Sequence, residues 1–152
     1  MPGIFNQKLI TMKRILLLAA LITIFGWMGC SKKSSTIPII DDMDSTAILI
    51  YSGKFTSGPY GTTMGIASIE KVNDQWQLRL DSFLVSNGPD LKVYLSKEQQ
   101  PISFISLGSL RSTSGNQVYP IAGMPDLSLY KYALVHCEKY NHLFGWALLE
   151  MK

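Results

Sequence analysis

The sequence predicts an all-β fold: an antiparallel β-sandwich or barrel-like single domain of about eight short strands. Two observations predict it. The hydrophobic periodicity is β throughout the chain after residue 45, in short alternating or apolar runs. Gly, Pro, Asn and Asp turn signals separate nearly every pair of runs.

The runs follow in order. Ala47-Ile48-Leu49-Ile50-Tyr51 opens the domain and Gly53-Lys54-Phe55 continues it. Thr63 to Ile69 is expected to pair with Trp76 to Leu80 across Asn73-Asp74. Within that hairpin Trp76, Leu78 and Leu80 share one face, with Gln77, Arg79 and Asp81 opposite, as in a half-buried antiparallel strand. Leu91 to Leu95, Phe104 to Leu107, Gln117 to Tyr119, Tyr132 to Val135 and Phe144 to Leu149 complete the set. Their separators include Asn87-Gly88-Pro89-Asp90, Ser114-Gly115-Asn116 and Gly123-Met124-Pro125-Asp126. Asp126 to Tyr132 has room for one helical turn.

Ahead of this domain, residues 1–29 read as a lipoprotein signal peptide. Lys13 and Arg14 precede the apolar run Ile15 to Phe25, which is shorter than the roughly 20 residues of a membrane-spanning helix. Gly29 is the small residue required before Cys30, although Trp27 stands where Leu is usual. Cys30 is the expected lipidation site, its thiol taking a diacylglycerol and cleavage making it the new N-terminus. A start at Met12 would place Lys13 and Arg14 directly after the initiator. The competing reading is an uncleaved anchor helix, against which Ser31-Lys32-Lys33-Ser34-Ser35 looks like the start of a mature tether. Either reading puts the domain outside the cytoplasm, in the cell envelope, facing the periplasm or the exterior. Residues 30–45 are Ser-, Thr- and Asp-rich and read as a flexible tether, with Ile37, Ile39 and Ile40 able to add an edge strand. Residues 46–152 form the β domain.

Charge follows the same division. The chain has 14 Lys+Arg and 11 Asp+Glu, and three of the basic residues, Lys8, Lys13 and Arg14, precede Cys30. Without them 11 basic residues face 11 acidic ones. The basic pI of 8.8 belongs to the leader, and no basic field remains to attract nucleic acid.

The two cysteines are the most informative residues. With Cys30 assigned to lipid, Cys137 is a lone thiol with no partner for a disulfide in an oxidising compartment. It is either a buried small hydrophobe or a redox or cofactor candidate. It closes a strand just before the turn Glu138-Lys139-Tyr140-Asn141, and His142 follows five residues on. A strand-end Cys followed by His is similar to a blue-copper loop, but that site needs a second, upstream His. The other histidine, His136, adjoins Cys137 and points to the opposite face of a regular strand. Zinc lacks ligands for the same reason. No metal site is expected. His142, His136 and Tyr140 are secondary candidates beside Cys137. A Cys137–His142 dyad has no orienting third group, no phosphate loop is present, and no catalytic residues emerge.

Several segments together resemble the DM-thirteen domain over roughly residues 47 to 150. The most specific are Gly88-Pro89-Asp90-Leu91-Lys92-Val93-Tyr94-Leu95-Ser96 and Cys137 followed by Phe144-Gly145-Trp146-Ala147. Gly53-Lys54-Phe55, Gly65 to Ile69, Leu78 to Phe83 and Gly115 to Ile121 add to it. The resemblance implies an electron-transfer or redox component whose characteristic cysteine acts as a bare thiol or holds a prosthetic group such as haem. It maps that cysteine onto Cys137. Residues 57–63 lack the histidine the family often has there. Two expectations follow. One is an envelope-tethered redox module that meets a redox or protein partner and is held to the membrane by its N-terminal lipid. The other is a non-enzymatic β-sandwich with a binding or structural role in the envelope, with Cys137 in its core.

Overall fold

A computed structural model describes residues 36–123 and 125–152. The signal peptide, its cleavage point and Cys30 lie outside the described residues. Eight strands of six residues or more carry the domain: β2 (Ile48–Ser57), β3 (Thr63–Val72), β4 (Gln75–Val85), β5 (Leu91–Ser96), β6 (Phe104–Ser109), β7 (Ser114–Ile121), β8 (Tyr132–Cys137) and β9 (His142–Leu148). Two-residue strands β1 (Ile39–Ile40) and β10 (Glu150–Met151) stand near the two ends of the described residues. The described residues hold no α-helix. Glu138–Tyr140 forms a 3-10 turn, and Asp126 to Leu129 is a turn closed by the Leu129 N–H on the Asp126 carbonyl at 3.1 Å.

The strands run in the order β1-β7-β4-β3-β2-β9-β8-β5-β6, and β10 pairs with β2. Every pairing is antiparallel except β1 with β7. β2 is the corner strand. Its first part, Ile48 to Lys54, lies against β3, and Phe55 to Ser57 lie against β9. The sheet therefore curls, and both of its wings contribute to one interior. Leu78, Leu80 and Tyr119 from one wing share that core with Val93, Val135 and Phe144 from the other. The fold is all-β and barrel-like, as the periodicity predicts.

Local chemistry explains the register. Asn73 and Asp74 both take positive φ, 47° and 63°, the left-handed pair that matches the twist of a two-residue hairpin. β3 and β4 pair from Val72–Gln75 outward, with Lys71 opposite Trp76. Gly65 at φ 115° forms a bulge that no side chain would fit, because a Cβ there would lie 2.7 Å from the Asp81 carbonyl oxygen.

One face of β4 departs from expectation. Leu78 and Leu80 are buried in the core as expected, but Arg79, on the opposite face, is also only 2% exposed. The cover comes from residues 37–42, inside the expected tether. Ile39 and Ile40 pair with Gly115 and Asn116 of β7. Arg79 Nε donates to Asp81 Oδ1 at 2.6 Å, Nη1 to the Asp42 carbonyl at 3.2 Å and Nη2 to the Asp41 carbonyl at 3.1 Å. The Asp41 carboxylate accepts from the Arg111 guanidinium and from the Val118 N–H at 2.8 Å. That Arg111 contact, the largest of several, holds the Asp41 carboxyl below its usual range. The last part of the expected tether is thus a strap fixed to the domain by polar contacts.

Candidate functional site

β8 places Cys137 and His136 on opposite faces of the sheet, following strand alternation. Cys137 faces the core with Ala133 and Val135, and its residue is 0% exposed. Leu91 of β5 is its partner on one side and His142 of β9 on the other. Directly opposed residues of an antiparallel pair share a face, with Cβ atoms about 5 Å apart. His142 therefore lies on the Cys137 side. It is half-buried, stacked on Tyr60 with ring centroids 3.7 Å apart, and 5.9 Å from the Tyr140 ring. The turn between β8 and β9 is set by Asn141, whose φ of 53° reverses the chain. Of the sequence candidates, Cys137, His142 and Tyr140 gather at this end. Tyr60 joins them from the loop after β2, with nothing in its local sequence to mark it.

The outer face of the same strands is different. Tyr94, Leu134 and Leu143 form a second buried cluster, with Tyr132 and Trp146 packed against it. Tyr94 donates its O–H to Glu138 Oε1 at 2.6 Å, and its ring stacks on Phe104 at 4.3 Å. His136 is 5% exposed and lies 5.8 Å from the Tyr94 ring. Its Nε2–H donates to Asn141 Oδ1 at 3.1 Å, which leaves Nδ1 buried without a partner. Lys92 bonds Asp90 at 2.8 Å and lies 3.8 Å from Glu138.

Burial, more than any other cause, pushes the His136 ring below its ordinary pKa of 6.5. Protonating Nδ1 would strand an N–H⁺ without an acceptor. The Asn141 bond and Glu138 oppose the shift, while His142 adds to it. A histidine depressed in this way contributes stability that is present above its unfolded pKa and lost as the pH falls below it. The urea midpoint is therefore expected to hold near about pH 7.5 and to fall by about pH 5.5. His136→Gln should flatten that limb. Equal midpoints for the parent protein at both values would contradict the burial argument.

Among the described residues no group of three or more His, Cys, Asp or Glu side chains is placed to hold a metal ion. A haem, which the resemblance brings into question, does not fit this end as folded. Cys137 is enclosed by packed strands, and the orphan nitrogen of His136 lies on the other face of the sheet. The two cannot serve one iron.

The family model described as electron transfer DM13 matches residues 54–149. The chain belongs to the DM13 family. That span begins in β2, ends just after β9, and contains both faces of the Cys137 end. No curated protein and no solved structure matched the chain. The DM13 assignment supports a redox role at the level of the family. Among the described residues, the buried groups near the β8 end able to change oxidation state include Cys137 inside and Tyr94 outside.

Proposed function

We propose that this DM13 protein is a redox module of the cell envelope, tethered through a lipid on Cys30, with Cys137 at its redox centre. The observation that carries the reading is the position of Cys137. It is a lone thiol, fully buried, at a strand end and cross-strand from a half-buried histidine in an electron-transfer family. Disulfide exchange needs a thiolate to reach a partner's sulfur, and enclosure prevents that approach. Single-electron exchange needs no such contact. On oxidation by a one-electron oxidant the thiol gives up an electron to that oxidant and its proton to a base, a role we assign to the cross-strand His142, and reduction reverses both.

The second reading, a binding or structural β domain, is favoured by the same burial, because a packed thiol behaves as a small hydrophobe. Native and denatured protein treated with an alkylating reagent, together with an oxidative titration, separate the two. Cys137 is expected to resist alkylation until the protein is denatured. The redox reading then expects an oxidation step that Cys137→Ser removes. If Cys137→Ser lowers stability by about 1–3 kcal/mol and leaves the titration unchanged, the thiol is core and nothing more. For the anchor, mass spectrometry of the mature protein is expected to show an acylated N-terminus at Cys30. An intact leader would remove the lipid from the proposal.

A further inference from the structure

Tyr94 lies in the next strand from Cys137, on the other face, and its surroundings resemble those of no other tyrosine among the described residues. Its residue is 1% exposed, and its phenol O–H meets a carboxylate, Glu138 Oε1, at 2.6 Å. Tyr119 is also buried, but its O–H donates to the Gln117 amide oxygen at 2.8 Å, which is no base. Tyr132 lies edge-on to Trp146 with centroids 6.1 Å apart. The distinction matters for oxidation. A buried phenol that loses only an electron leaves a cation in a poorly solvating site. One that loses an electron and a proton together stays neutral, provided a base already holds the hydrogen bond.

We propose that Tyr94 is a redox-active tyrosine and that Glu138 is its proton acceptor. The oxidant is a one-electron acceptor, in the envelope an oxidised metal centre carried by a partner protein. One electron leaves Tyr94 for that centre, the phenolic O–H bond breaks, and the proton passes to Glu138 Oε1. The products are a neutral tyrosyl radical, a protonated Glu138 and the reduced partner; returning the electron restores the O–H bond. Burial first, and the Glu138 carboxylate second, push the Tyr94 pKa well above the usual phenol range, so the resting group keeps its proton. Lys92 bonds Asp90 and lies 3.8 Å from the second oxygen of the same Glu138 carboxylate.

The strand register supplies an exit. Tyr94 is opposite Leu134, and Leu134 is opposite Trp146. The three form one row across β5, β8 and β9 on the outer face. With strands about 4.8 Å apart, the Tyr94 and Trp146 backbones are about 10 Å apart. Trp146 lines a surface groove of about 570 Å³ together with Lys54, Thr56, Leu148 and Lys152. A partner seated there meets an aromatic ring one residue removed from the buried tyrosine.

The inference rests on the redox reading but not on Cys137, so its test can fail separately. Full-length protein in detergent would be oxidised with a photogenerated ruthenium tris-bipyridine complex and followed by transient absorption and electron paramagnetic resonance. A tyrosyl radical is expected in the parent protein and in Tyr119→Phe, and is expected to vanish in Tyr94→Phe. Glu138→Gln keeps a hydrogen-bond acceptor but no base, and is expected to slow radical formation about a hundredfold. Circular dichroism checks that each variant is folded. A radical of equal yield in Tyr94→Phe, or an unchanged rate in Glu138→Gln, overturns the tyrosine assignment while leaving a Cys137 centre in place. No electron exchange by the parent protein overturns both.

Discussion

Arg79→Met is expected to destabilise the protein by about 3 kcal/mol and to loosen residues 37–42. Arg79 joins three partners through one guanidinium: the Asp81 carboxylate and the carbonyls of Asp41 and Asp42. Methionine fills much of the same volume but donates nothing. Asp81 then loses its cation and two carbonyls of the strap lose their donors. Breaking a buried pair costs about 3–5 kcal/mol, and the lower end applies because Asp81 is partly exposed. For a unit of this size the melting temperature should drop by roughly 10 °C. Limited proteolysis should also open a new cut between residues 37 and 45. An unchanged melting temperature would mean that the pairing of β1 with β7 and the Asp41 contacts to Arg111 and Val118 hold the strap without Arg79.

Gly145→Ala is expected to cost about 3 kcal/mol, although no unusual backbone angle is involved. Gly145 sits in β9 between Ser57 of β2 and Val135 of β8. A Cβ at this position would overlap the Thr63 side chain, both its Cβ and its hydroxyl. Thr63 cannot move aside cheaply. It is buried, and its hydroxyl donates to the Phe144 carbonyl at 2.8 Å. The missing side chain of Gly145 is therefore space that Thr63 occupies. Thr63→Gly in the Gly145→Ala background should recover part of the loss in a denaturation series. If the double variant is less stable than the sum of the two changes predicts, the clash is not with Thr63.

The β-strands were legible because their signals are local. Alternation marked Trp76, Leu78 and Leu80 as one face, and Asn73-Asp74 marked the hairpin. All eight longer strands contain a run read from the sequence. The strap was harder to read, for a physical reason. Its attachment uses backbone carbonyls and the Asp41 carboxylate, while Ile37 and Ile40 remain 73% exposed. Ile37, Ile39 and Ile40 marked an edge strand, which forms as β1, but the polar docking of Asp41 and Asp42 left no mark in a Ser- and Asp-rich composition that matches a solvated linker. The burial of Arg79 was hidden with it. At the candidate site, Cys137 and His142 were legible as a pair because only a turn separates them. Tyr94 and Glu138 are 44 residues apart, and only the antiparallel register of β5 and β8 brings them together. Local spacing could not have joined them.

The docked strap also sets a length. Six residues, 31–36, separate Cys30 from Ile37. A trans chain spans at most about 3.3–3.6 Å per residue, so a lipid at Cys30 would keep the start of the strap within roughly 25 Å of its attachment point. A linker running free to residue 45 would more than double that reach. On so short a leash a lipid-anchored domain would search a thin layer above the bilayer rather than the depth of the compartment. The partners it meets most often would then be those confined to the same membrane surface, encountered by lateral diffusion in two dimensions.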